Sequence, residues 1–343
     1  MLTVRLGNTG IVANKNGFGA LPIQRIGEQD AIELIHMALD GGVNFFDTAR
    51  AYSDSEQKLG KALTGVDRER YFIATKTTAK TGDKVLEDLD TSLKLLKTDY
   101  IDVYQLHCVP KCFRPGEADG VYDAVLKAKE QGKIRHIGIT AHLLNVAEEA
   151  VDSGLYETLQ YPFAYISTPR EIALVGRCAD AGMGFLGMKG LAGGLLTNAK
   201  LCYWFAAQHE NALPLWGVQR ASELREFLSF QENPPVMDAE MQAVYERDLK
   251  ELSGDFCRGC GYCMPCPKGI KINNCARISQ LLRRSPSASW LSDEWQAEMA
   301  KIKECLHCGQ CASRCPYGLD TPALLEKNLE DYENVVAGRV SVG

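Results

Sequence analysis

No run of apolar residues in this 343-residue sequence is long enough to cross a bilayer, which excludes a membrane-spanning helix. The first residues, Met1–Leu6, have no charged stretch followed by an apolar segment and a cleavage site. No signal peptide is therefore read, and the cytoplasm is the expected compartment. An excess of one charge is also missing. Lys and Arg total 38 and Asp and Glu 44, and a net charge of −6 argues against a general nucleic-acid binder. No flavin motif is evident, and no internal repeat stands out beyond two cysteine clusters. What remains, 45% apolar and 24% charged, is the balance of a soluble globular chain large enough for a barrel or sheet core plus a second domain.

Cysteine is plentiful by contrast. There are 13, an odd number, and nine of them follow Phe256. A disulfide framework suits a short secreted chain, not a long one with clustered thiols, so the clustered cysteines read as ligands.

From Lys15 to about Ser229, short β-rich runs alternate with helical patterns. The strand-like runs are Asn16–Ala20, Val43–Asp47, Tyr71–Lys76, Ile101–His107, Ile134–Thr140, Thr158–Tyr161, Gly184–Lys189 and Ala212–Trp216. Between them, apolar residues recur at three- and four-residue spacing, as in Ile32, Leu34, Ile35, Ala38 and Leu39. Such alternation implies parallel strands with crossover helices. Eight units point to a (β/α)8 TIM barrel over residues 1–235; on pattern alone a doubly wound sheet is the competing fold. Asn8–Thr9–Gly10 reads as the turn of a hairpin across the barrel's bottom. A connecting helix is expected over 236–252, a cysteine-rich module over 253–330 and a tail over 331–343.

The module holds Cys257–x2–Cys260–x2–Cys263–x2–Cys266–Pro267 and Cys305–x2–Cys308–x2–Cys311–x3–Cys315–Pro316. Three thiolates at two-residue spacing can wrap one face of an iron–sulfur cubane, and the fourth of each run reaches the other cluster. Two [4Fe–4S] clusters follow, one on Cys257, Cys260, Cys263 and Cys315, the other on Cys305, Cys308, Cys311 and Cys266. Structural zinc, the competing reading, usually uses two separated pairs. The first run is irregular, with two residues before its last cysteine instead of three. The 38 residues between Cys266 and Cys305 hold helical patterns at Ala276–Arg283 and Asp293–Lys303. The module thus resembles a small, mainly helical two-cluster ferredoxin-like domain. Cys108, Cys112, Cys178, Cys202 and Cys275 read as packing residues.

Active sites of such barrels lie where strands end. Those positions hold Asp47, Tyr52 just beyond it, Lys76 and His107. The surrounding words are Asn44–Phe45–Phe46–Asp47–Thr48–Ala49, Tyr52–Ser53, Ser55–Glu56, Leu59–Gly60, Phe72–Ile73–Ala74–Thr75–Lys76 and Tyr104–Gln105–Leu106–His107. Residues 2–230 resemble the aldo-keto reductase family in these words. Reduction of a carbonyl leaves an alkoxide that needs a proton at once. Tyr52 is the expected acid/base, Lys76 and Asp47 the pair that lowers its pKa, and His107 the group that orients the carbonyl.

The resemblance also implies a nicotinamide cofactor, NADH or NADPH. Thr140 and His142 match the carboxamide-binding positions, with Gln160 after them. Met188 and Lys189 stand where many relatives place a stacking tyrosine. Gly190, Leu191 and Gly193 match the glycine-rich loop over the pyrophosphate. Beyond the last strand Gly217 and Arg220 remain, without the lysine–serine–arginine grip on a 2′-phosphate.

The expected function is an iron–sulfur oxidoreductase that interconverts a carbonyl and an alcohol, with electron transfer through the clusters. Its substrate would be a sugar or polyol, a hydroxysteroid, or a small aldehyde or ketone. The alternatives are an NAD(P)H-dependent reductase with structural clusters and a docking protein with a non-catalytic barrel. Residues 253–330 carry ten Lys/Arg against eight Asp/Glu, whereas residues 1–252 carry 27 against 34. A mildly basic cluster module suits an acidic ferredoxin or flavodoxin as electron partner.

Overall fold

The computed structural model describes residues 2–252 and 256–342, and among these the chain forms two compact units. The first comprises the described chain up to Gly190 and Ala199–Asp238; the second comprises Leu191–Asn198 and the described chain from Ala239 onward.

The first unit opens with an antiparallel hairpin, β1 (Thr3–Arg5) and β2 (Val12–Asn14). Eight parallel strands follow: β3 (Gly17–Gly19), β4 (Phe45–Asp47), β5 (Phe72–Thr77), β6 (Ile101–Leu106), β7 (Ile134–Thr140), β8 (Thr158–Pro162), β9 (Gly184–Met188) and β10 (Ala212–Gly217). They pair in sequence and β10 pairs with β3, so the barrel is closed and the open-sheet alternative is ruled out. The crossover helices are α1 (Glu28–Asp40), α2 (Ser55–Ala62), α3 (Gly82–Leu96), α4 (Val121–Glu130), α5 (Leu144–Ser153), α6 (Pro169–Asp180), α7 (Ala199–Ala207) and α8 (Ala221–Glu232).

Local chemistry accounts for the pattern. Helix α3 buries Val85, Leu89, Ser92 and Leu96, one stripe at helical spacing. Helix α6 starts at a capping box, Thr168 with Glu171, and has Pro169 in its first turn, where a missing N–H costs nothing. All six residues of β6 are buried, as expected of a strand covered on both faces. The hairpin does close one end of the barrel: Val4, Leu6, Ile11 and Ala13 pack with Phe45, Ala74, Val103, Leu186, Leu213 and Leu215. Burying each of the larger side chains contributes about 1.5–3 kcal/mol. Helix α7 escapes the periodic reading because it has almost no polar face: Leu201, Cys202, Tyr203, Phe205 and Ala206 are all buried.

In the second unit, α9 (Ala239–Glu251) is the expected connecting helix, and it groups with the cysteine module. The expected start of that module, Ser253, lies outside the described residues. Five short helices follow: α10 (Ile272–Cys275), α11 (Ile278–Arg284), α12 (Ser287–Trp290), α13 (Asp293–Ala300) and α14 (Gln310–Ser313). The last helix, α15 (Thr321–Val336), runs through the expected tail boundary at 331. Its start carries legible signals, Asp320 accepting from the Ala323 N–H and Pro322 in the first turn. Asn328 ties α15 to the α10–α11 corner, accepting from the Ser279 N–H at 3.0 Å and donating to the Ala276 carbonyl at 3.2 Å. A two-pronged Arg283–Asp331 pair at 2.7 and 2.8 Å braces the same contact. No described helix is long and apolar enough to cross a membrane.

Candidate active site and cluster ligands

Asp47 ends β4 and Lys76 lies on β5, paired through adjacent registers, so both side chains meet inside the barrel mouth. Lys76 Nζ donates to both Asp47 oxygens, at 2.7 and 2.6 Å, and to the Thr48 carbonyl at 2.6 Å. Gln105 and Gln160 add donations to the same carboxylate at 3.2 and 3.3 Å. Asp47 is 4% exposed and Lys76 1%, so burial pushes the acid up and the lysine down, and each charge opposes the other's shift.

Tyr52 is half-buried in the loop between β4 and α2. Backbone bonds from Thr48 to Ala74 and from Arg50 to Lys76 hold that loop against β5. Its foundation is Glu56, 1% exposed, which accepts from Thr75 and Ser92 at 2.7 Å each and pairs with Arg50. In the sequence Glu56 reads only as part of the Ser55–Glu56 motif, because a carboxylate opening a helix is an ordinary capping signal.

The expected lowering of the tyrosine pKa is not found. Burial raises it, and the charges of Asp47 and Cys108 push the same way. Lys76 spends its three N–H groups on Asp47 and Thr48, leaving none for the phenol, and stands 5.2 Å from the ring centroid. Burial thus favours the neutral phenol of Tyr52. His107 meets it edge to face, ring centroids 5.7 Å apart. Burial, helped by the Lys76 charge, lowers the His107 pKa to about 3, so its ring is neutral and carries a single N–H. Its Nδ1 is buried without a hydrogen-bond partner.

Thr140, at the end of β7, accepts the Cys108 N–H at 2.6 Å and keeps its own proton to donate. His142 Nδ1 lies 3.3 Å from Cys108 Sγ. Burial holds His142 well below the usual imidazole value, with Lys189 and His107 adding to the shift. The thiol treated as packing is therefore part of this cluster, carried on a left-handed residue, φ 50°. Gln160 serves the Asp47 carboxylate, and Gln105 does the same. Gln105, on β6, stands two residues before His107, which directly follows that strand, and this period-two spacing is the signal that could have found it. Met188 ends β9, and Lys189 and Gly190 follow it. Leu191 and Gly193 belong to the second unit. Gly217 ends β10, and Arg220 is a surface residue paired with Glu223 at 2.6 Å, its side chain 70% exposed.

In the second unit the cysteines ring two cavities. Cys257, Cys260 and Cys263 share one of about 350 Å³ with Cys315. Cys266 shares the other, about 410 Å³, with Cys305, Cys308 and Cys311; Cys263 also touches its wall. Each run thus lends its last thiol to the other run's cavity, and the irregular spacing before Cys266 does not prevent the crossing. Among the described residues no three His, Cys, Asp or Glu side chains converge as they would on a single metal ion. Soft thiolates spread around a cavity fit an iron–sulfur cubane. The Gly259 N–H donates to Cys257 Sγ at 3.4 Å, the kind of bond that tunes a cluster.

Residues 15–203 match the sequence model of the Aldo/keto reductase family, and residues 256–320 that of the 4Fe-4S dicluster domain. The L-galactose dehydrogenase of Arabidopsis thaliana is 33% identical over 227 residues, 60% of this chain and 70% of that protein. Aldo-keto reductase YhdN of Bacillus subtilis is 30% identical over 211 residues, 56% of this chain and 63% of that one. Among solved structures, an aldo-keto reductase of Bacillus halodurans in its holo form superposes with TM-score 0.62 at 22% identity, covering 72% of this chain and 96% of its own. One from Klebsiella pneumoniae in complex with NADPH gives 0.61 at 21%, covering 72% and 94%. At these identities the structures speak for the fold.

Proposed function

Because the chain belongs to the aldo/keto reductase family, we propose that it is a carbonyl reductase that uses NAD(P)H at Tyr52 and carries two [4Fe–4S] clusters. The observation that carries this reading is the convergence of Tyr52 and neutral His107 over the buried Asp47–Lys76 pair. A bound nicotinamide supplies the hydride. His107, with its single N–H, orients the carbonyl oxygen, and Tyr52 delivers its proton to that oxygen as negative charge develops. The raised pKa of Tyr52 keeps that proton in place until an alkoxide, a stronger base, forms. This favours reduction; the oxidative direction needs a phenolate that burial opposes. Lys76 keeps a fixed cation beneath the ring, and Asp47 with its two glutamines keeps Lys76 in place.

Within the first unit Thr140 and His142 would hold the carboxamide, with Gln160, Met188, Lys189, Gly190, Gly217 and Arg220 as further candidates along the cofactor. Arg220 already has its charge met by Glu223. The sugar-directed name of the Arabidopsis relative supports a sugar-like or small hydroxycarbonyl substrate. The cysteine sets ringing the two cavities would hold the clusters, Cys257, Cys260, Cys263 and Cys315 one, Cys266, Cys305, Cys308 and Cys311 the other. When bound, the two clusters would supply one-electron transfer within the second unit, whose mild basic excess suits an acidic ferredoxin or flavodoxin.

Tyr52→Phe tests the barrel reading. Loss of turnover by about 100-fold or more, with iron and sulfide content unchanged, is expected. Unchanged turnover removes Tyr52 from the chemistry. Anaerobic addition of NADH or NADPH tests the relay, whose expected mark is bleaching of the cluster's visible absorption. A stable spectrum with either cofactor leaves the clusters a structural role.

A further inference from the structure

Arg277 precedes α11 and is 9% exposed, a buried guanidinium at the edge of the first cysteine run. Two glycines make room for it. A Cβ on Gly259 would lie 2.6 Å from Arg277 Cζ and 2.8 and 2.9 Å from its two terminal nitrogens. A Cβ on Gly193 would lie 2.9 Å from Nη1 and 3.3 Å from the Arg258 carbonyl. Both glycines have left-handed backbone, φ 66° and 68°. The guanidinium is therefore lodged between the Cys257–Cys260 turn and the connection Leu191–Asn198, which joins β9 to α7 along the chain.

Its contacts go to both sides. Nη1 donates to the Gly193 carbonyl at 3.0 Å. On the other side the guanidinium sits against Gly259, whose N–H donates to Cys257 Sγ at 3.4 Å. Arg284 also reaches the connection, at the Leu195 carbonyl, and pairs with Asp248 at 2.9 Å and Glu251 at 2.5 Å. Arg258 lies over the rings of Phe256 and Tyr317 at 4.7 and 4.5 Å.

We propose that Arg277 is the positioning residue of the cluster on Cys257, Cys260, Cys263 and Cys315: it pins the Leu191–Asn198 connection to the first cysteine turn and raises that cluster's reduction potential. The physical reason is direct. One-electron reduction adds a negative charge to an already anionic cluster, and a cation held close in a buried setting stabilises the reduced form more than the oxidised one. The guanidinium fork also bonds the connection, so the charge cannot move without releasing the loop.

The proposal rests on the cluster reading above, and the experiment separates the two. Iron and sulfide in the anaerobically purified wild-type chain come first; a chain that takes up neither refutes the cluster reading and this proposal with it. With clusters loaded, potentials are then measured by redox titration followed by electron paramagnetic resonance, and loop protection by hydrogen exchange over 191–198 and 257–261. Arg277→Gln is expected to lower the potential of one cluster, leave the other in place, and raise exchange at least tenfold in both segments. Arg277→Lys is expected to retain most of the potential while still losing protection, since lysine keeps the charge without the fork. Unchanged potentials in loaded Arg277→Gln, or equal shifts of both clusters, overturn the proposal.

Discussion

Asp47→Asn is the sharpest perturbation of the barrel, because it removes one charge from a buried pair and nearly nothing else. Asp47 accepts two bonds from Lys76 and one each from Gln105 and Gln160, all donors. An asparagine presents one carbonyl oxygen to those donors and turns its amide toward others, while Lys76, 1% exposed, loses its counter-charge. Breaking a buried pair from one side costs about 3–5 kcal/mol. For a unit of this size that lowers the melting temperature by about 10 °C. The sign with pH follows. Without Asp47 the folded pKa of Lys76 drops further below its unfolded value of ~10.4. The stability deficit is then largest at the acidic end of the series, where the unfolded chain holds the proton more tightly, and shrinks as pH rises toward that value. Thermal melts of wild type and variant at a series of pH values from 6 to 10, followed by circular dichroism, read this directly. The visible cluster absorption reports that the second unit stays loaded. Asp47→Asn combined with Lys76→Met is expected to regain most of the stability and none of the turnover. A single variant that melts within about 1 °C of wild type at neutral pH would refute the buried-pair reasoning.

Two further outcomes follow from the geometry. His107 has a folded pKa near 3, so turnover is expected to lack any inflection from this ring between pH 5 and 8. Stability should instead fall as pH drops below about 6.5, where the unfolded ring takes a proton that the buried one refuses; a histidine resonance assigned to His107 that titrates near 6.5 in the native protein contradicts this. Cys266→Ser is expected to cut iron from about eight to about four per chain and spare the cluster on Cys257, Cys260, Cys263 and Cys315. Loss of all the iron, or of none, would separate Cys266 from its cavity.

Periodicity and spacing carried much of this protein on their own. Eight β–α alternations imply a closed parallel barrel because right-handed crossovers leave few other ways to bury strands that are apolar on both faces. Cysteine runs at two-residue spacing suggest two ligand sets because a cubane's corners set the reach, and the cysteines line two cavities, with Cys263 on the wall of both. Asp47, Lys76 and His107 were legible because strand ends define a barrel's mouth. Only the tertiary structure could decide what depends on neighbours remote in the chain. Whether Tyr52 is raised or lowered turned on how Lys76 distributes three protons and how deeply the ring is buried. Cys108 looked like packing until β7 brought Thr140 and His142 beside it. The bonds of the glycine-rich connection are likewise set at a distance, since its carbonyls at Gly193 and Leu195 accept from Arg277 and Arg284, more than 80 positions away. Local sequence specifies which bonds a residue can make; the folded chain decides which of them are already taken.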